Sequence, residues 1–176
     1  MKTNHLLIIL LLTLLSCKKG TDESNQVKTF KDDNLKLYFD LIVQKDDSLQ
    51  LFYMDEGIPN FTEEYSQWKA IKGSTEKQQV SFVLPEPIIP TAIRFDFGKT
   101  KKQNDFKFMN FTMEYHDRKY SSKDSTIVYY FTPNEQLQFE SSTMTLNIVN
   151  LSSQPYDPFL RSTDLFTKQV RTLVKE

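Results

Sequence analysis

The sequence predicts an all-β domain, an antiparallel β-sandwich of jelly-roll type with one amphipathic helix at its C-terminal end. Three observations predict it. Apolar residues recur at every second position in one segment after another, with Pro, Gly, Asn and Asp between the segments. The chain has 14 Phe and 8 Tyr against only 4 Gly, a composition that suits pleated, half-buried strands. No long stretch of helical period separates the strands, as a parallel α/β sheet would need.

The elements follow in chain order. Met1 to His5 carries one lysine, Leu6 to Leu15 is an apolar run, and Ser16 precedes Cys17. A basic start, a short apolar core and a small residue are the parts of an export signal. The run has about ten residues, where a membrane-spanning helix needs roughly 20. Residues 1–16 are therefore expected to be a cleaved signal peptide. Leu14-Leu15-Ser16-Cys17 resembles the lipobox of bacterial lipoproteins. That resemblance implies cleavage before Cys17, a diacylglycerol thioether on its sulfur, and acylation of the new N-terminus. Two or three chains make a stable anchor where one is marginal, since each buried CH₂ contributes about 0.8 kcal/mol. Cys17 is the only cysteine, so it has no disulfide partner in the chain. The expected location is lipid-anchored at the cell membrane or the outer membrane, with the domain in the periplasm or on the surface.

Residues 17–34 are polar, with Lys18-Lys19 and Lys31-Asp32-Asp33-Asn34. They have too little apolar surface to form a core and read as a lipidated, flexible tether. The folded domain is expected over 35–176. Leu35, Leu37, Phe39, Leu41 and Val43 share one face of a strand. Gln44 to Asp47 turns, and Leu49, Leu51 and Tyr53 begin the return strand. Val80, Phe82 and Leu84 form a third strand, stopped by Pro85, Pro87 and Pro90. Ile93, Phe95 and Phe97 alternate with Arg94 and Asp96 and end at Gly98. Phe106 to Tyr115 has apolar residues in both phases, which predicts a central strand. Ile127, Tyr129 and Phe131 predict another, closed by Pro133-Asn134, and Met144, Leu146 and Ile148 the last. For the helix, Asp157 is the expected cap and Pro158 the first residue. Phe166, Val170, Leu173 and Val174 lie on one stripe, and Lys168, Arg171 and Lys175 suit the C-terminal end.

Removing sixteen residues from 176 leaves 160, one domain able to bury a core. With Lys2 gone the balance is 21 basic against 23 acidic side chains. That balance gives no reason to expect a nucleic-acid partner.

Two stretches carry a second resemblance. One is Leu51 to Glu64, in which Asp55-Glu56-Gly57-Ile58-Pro59 leads to an aromatic, followed by Val80 to Pro85 and Ile93 to Gly98. The other is Phe131-Thr132-Pro133-Asn134-Glu135-Gln136, with Asp157-Pro158 downstream. Their order resembles the carbohydrate-binding-like β-sandwich modules of bacterial cell-surface polysaccharide synthesis proteins. The resemblance spans roughly Leu35 to Pro158 and implies a jelly-roll fold and a glycan ligand. Ile58-Pro59 departs from the pattern, where a further glycine and a polar residue are usual.

Catalytic chemistry finds little support. After cleavage His116 is the only histidine, in a turn read as solvated, and no metal site or cofactor is expected. There is no Gly-x-Ser-x-Gly elbow. A glycosidase needs only two carboxylates, and Asp55, Glu56, Glu63 and Glu64 keep that possibility open. For binding, the connection from Phe61 to Trp68 stands out. Asp55, Asn60, Phe61, Tyr65 and Trp68 are the candidate ligand-binding residues, with Glu64 and Gln67 beside them. Flat aromatic faces stack on sugar rings, and amides and carboxylates bind hydroxyls. The alternative is that Phe61 and Trp68 close one end of the core. The expected function is a non-catalytic, glycan-binding envelope lipoprotein. The second reading is an envelope protein that docks or assembles with another protein through a sandwich face or the terminal helix.

Overall fold

The computed structural model describes residues 32–99, 105–122, 124–149 and 154–175. The expected signal peptide, Cys17 and most of the tether lie outside the described residues. Eleven strands and one α-helix form among those described: β1 (Lys36–Ile42), β2 (Asp47–Met54), β3 (Ser66–Ile71), β4 (Gln78–Val83), β5 (Ala92–Phe97), β6 (Phe106–Tyr115), β7 (Arg118–Ser121), β8 (Phe131–Pro133), β9 (Leu137–Glu140), β10 (Thr145–Ile148), β11 (Phe159–Ser162) and α1 (Asp164–Val174). They make two antiparallel sheets. One runs β4-β1-β6-β10-β9, with β7 beside β6; the other runs β3-β2-β5-β11-β8. The predicted all-β sandwich with one C-terminal helix is the fold.

Period two places the core. Leu37, Phe39 and Leu41 of β1, Leu49 and Leu51 of β2, Phe82 of β4, and Ile93, Phe95 and Phe97 of β5 are fully buried between the sheets. Phe39 of one sheet stacks on Phe95 of the other, with centroids 4.5 Å apart and planes at 9°. Phe82, Phe97, Phe108 and Phe131 surround that pair. Six of the 14 phenylalanines meet at this joint.

β6 is central, between β1 and β10, but not because both its faces are buried. Its register against β1 shifts by one residue between Asp40 and Leu41, so Asp40 faces Asn110 and Leu41 faces Phe108. This β-bulge changes the phase of the strand. Phe106 and Phe108 point inward before it, Phe111 and Met113 after it. Two inward phases on one strand imitate two apolar faces.

Several elements differ from the sequence reading. The segment from Ile127 to Tyr129 is not a strand: Asp124–Tyr129 is a 3-10 turn and only Phe131–Pro133 is extended. The N–H of Tyr130 donates to the Ile127 carbonyl at 3.0 Å. That turn buries Ile127 and Tyr130 and leaves Tyr129 65% exposed, a period of three rather than two. Met144 sits in a turn at φ 56°, and the strand starts at Thr145. Asp157-Pro158 does not open the helix. Residues 159–162 pair with β5 and β8 first, and the helix begins at Asp164 after Thr163. Ladder bonds from distant strands prevail there over a local capping pattern. Phe166, Val170 and Leu173 are buried as the stripe predicts, with Phe166 against Phe111 and Phe131. β3, β7 and β9 were not anticipated. β7 and β9 have only four residues each, and β3 and β9 are edge strands with one buried residue each, so they carry little alternation.

The described chain begins at Asp32 and is in contact with the domain at once. The N–H of Asp33 donates to Glu86, and the Asn34 amide donates to the Leu84 carbonyl at 2.7 Å. His116 occupies the β6–β7 turn at φ 55°. It is not solvated as expected: its side chain is 14% exposed, stacks on Tyr115 and hydrogen-bonds Asp33.

Candidate functional site

The outer face of the β3-β2-β5-β11-β8 sheet is built from residues that alternate with the core. Trp68, Gln50, Asp96 and Phe159 are paired in register across β3, β2, β5 and β11. One row along, Ser66, Phe52, Arg94 and Arg161 are paired in the same way. Residues in one such row share a face and lie within side-chain reach of their neighbours. Of these, Gln50, Phe52, Trp68, Arg94 and Asp96 line an open groove of about 660 Å³ with Phe61, Thr62, Glu63, Gly98, Lys99, Tyr156 and Asp157.

Arg94 organises its middle. Its guanidinium donates to both carboxylate oxygens of Asp96, at 2.8 and 2.7 Å, and to Asp157 at 2.6 Å. It lies 4.0 Å from the Phe159 ring centroid and 5.4 Å from that of Phe52. A planar, forked cation suits both bonds and stacking. Burial pushes the Asp96 carboxyl up to about 6; the Arg94 bonds pull the other way and only partly offset it, while Asp157 and Glu63 add like charge. Burial, and next the charge of Asp47, pushes the Tyr156 hydroxyl up to about 12.

The rim is fixed by short-range bonds. Thr62 leads into a 3-10 turn over Glu63–Tyr65. It brings the Glu63 carboxylate to the Gln50 amide, which donates at 2.8 Å, and to the edge of Trp68, whose indole N–H donates at 3.5 Å. Ser66 closes the turn by donating to the Glu63 carbonyl. Asn134 and Gln136 hold the Asp157 backbone at 2.7 and 2.9 Å. Gly98 ends β5 at φ 76°, a backbone shape that suits glycine. The Lys99 N–H then donates to Asp47, and its ammonium stands 3.6 Å from the Trp68 ring centroid.

Of the five predicted site residues, Phe61 and Trp68 line the groove, and Trp68 is 40% exposed. Trp68 lies on an edge strand rather than in a connection. Phe61 packs edge-on against Phe52 and has Arg161 over it. Tyr65 turns toward the core and meets Tyr53. Asp55 pairs with Ile58 in a tight turn and accepts a bond from the Glu56 N–H. Neither it nor Asn60 lines the groove. Gln50, Arg94, Asp96, Lys99, Tyr156 and Asp157 were missed as site residues, and Glu63 was read only as one of four carboxylates that a glycosidase could use. Alternation with Ile93, Phe95 and Phe97 put Arg94 and Asp96 on the outer face, but nothing local showed which strands flank β5.

Each groove carboxylate already accepts a bond from a side chain: Asp96 and Asp157 from Arg94, Glu63 from Gln50. No group of three His, Cys, Asp or Glu side chains among the described residues is placed to hold a metal ion. No helix among them is long and apolar enough to cross a membrane. No protein-family model, curated protein or solved structure matches the chain.

Proposed function

We propose that this chain is an envelope lipoprotein, anchored through lipid on Cys17, whose β-sandwich binds glycan without catalysis in the groove at Trp68. One observation carries the binding reading. Trp68 and Phe61 converge with an amide, three carboxylates and an arginine in one open groove. An aromatic platform ringed by fixed donors and acceptors suits a sugar ring, which offers C–H faces to stack and hydroxyls to bond. The carboxylates are tied to Arg94 and Gln50, which favours binding over general acid–base chemistry. Docking through the terminal helix would need its apolar stripe free, and Phe166, Val170 and Leu173 are covered by the sandwich.

A glycan array probed with the wild type and Trp68→Ala tests the site. Trp68 is half-exposed at a sheet edge, so the variant should fold and lose binding. No bound glycan, or binding that Trp68→Ala leaves intact, sinks the reading. Globomycin tests the anchor: the uncleaved precursor should accumulate, and Cys17→Ser should abolish incorporation of labelled fatty acid.

A further inference from the structure

We infer, resting on the glycan reading above, that the groove selects a carboxylated sugar, a uronic acid, and that Lys99 is the residue that makes the choice. The stacking face of Trp68 is not vacant. The Lys99 ammonium lies 3.6 Å from the ring centroid, where a sugar ring would stack. A ligand reaching that face displaces Lys99 and ends a cation–π contact.

What the ligand gives back decides which sugars bind. Lys99 has no carboxylate within ion-pair distance among the described residues, whereas Arg94 has two. Among the described residues, then, the Lys99 ammonium is in no ion pair that a ligand would have to break. A neutral sugar returns it to water, while a uronic acid carboxylate at the edge of the stacked ring receives it. The Glu63 carboxylate does not oppose this. It sits at the indole N–H, on the edge of Trp68, and is held by Gln50, whereas Lys99 covers the face. Phe61 repeats the arrangement: Arg161 stands 5.6 Å from its centroid and likewise has no carboxylate partner among the described residues.

The test is affinity of the full chain, purified in detergent, for uronic acid oligosaccharides and for the same oligosaccharides after reduction of their carboxyl groups. The wild type should bind the acidic form about three- to tenfold more tightly, a preference that shrinks as salt screens the pair. Lys99→Ala should weaken acidic binding, leave neutral binding equal or tighter, and bring the two within about twofold. Lys99→Arg should keep the preference. Equal affinity in the wild type, or a preference that survives in Lys99→Ala, overturns the inference. Neutral binding that depends on Trp68 then leaves the glycan reading standing; no binding of either form ends both.

Discussion

Replacing Phe95 tests whether the sandwich is held by one aromatic joint. Phe95 is fully buried on β5 and stacks on Phe39 of β1, with Phe97 at 4.8 Å, Phe82 at 5.8 Å and Phe108 at 6.3 Å. Removing a buried Phe to Ala costs about 3–5 kcal/mol. Domains hold only about 5–15 kcal/mol in total, so Phe95→Leu, which keeps most of the volume, is the practical variant. It should cost about 1–3 kcal/mol, since it loses ring contacts and leaves part of the site unfilled. Paired with Phe39→Leu in a double-mutant cycle, it should show a coupling of about 0.5–1.5 kcal/mol. Equilibrium urea unfolding followed by far-UV circular dichroism reads both quantities. Tyr129→Leu, on the surface, is the control and should stay within about 0.5 kcal/mol of wild type. A coupling indistinguishable from zero, or a Phe95→Leu cost no larger than the control's, would refute the idea that this stack joins the sheets.

Further predictions concern backbone, charge and the helix. Gly98→Ala should destabilise by about 1–3 kcal/mol in urea, because its φ is 76° and a Cβ would run into the Asp47 carboxylate; a neutral result would mean the turn relaxes. Asp96 is raised from 3.8 to about 6 in the folded protein, so the folded state binds the proton more tightly than the unfolded one. Its contribution is fully present below pH 4 and is lost as pH rises through about 6. The stability difference between wild type and Asp96→Asn should therefore shift against the wild type from pH 4 to pH 7, and a flat difference contradicts the burial argument. Phe166→Ala should cost about 3–5 kcal/mol, since the ring is fully buried against Phe111 and Phe131; a small loss measured by thermal unfolding would show that the helix is an appendage.

Strand chemistry was legible wherever one face of a strand is buried along its length. Leu37-Phe39-Leu41, Phe82-Leu84 and Ile93-Phe95-Phe97 alternate because the sheet interior accepts only their apolar faces. The helix stripe was legible for the same reason at a different period. β3 was not: it buries only Ile71, so Trp68 looked like part of a loop. Nor was the change of phase in β6, which a bulge against β1 imposes from outside the strand.

The sequence by itself determined that this is an all-β sandwich with a packed terminal helix, because burial stamps its period on the residues that are buried. It also singled out Phe61 and Trp68. Only the tertiary structure decided what stands beside them. Gln50, Arg94 and Arg161 come from strands that are neighbours through ladder pairing across long stretches of chain, and Glu63, Lys99 and Asp157 are set by turns that those strands hold. Polar residues on an outer face follow no pattern of their own, so their meeting depends on strand order and register, which long-range pairing alone establishes.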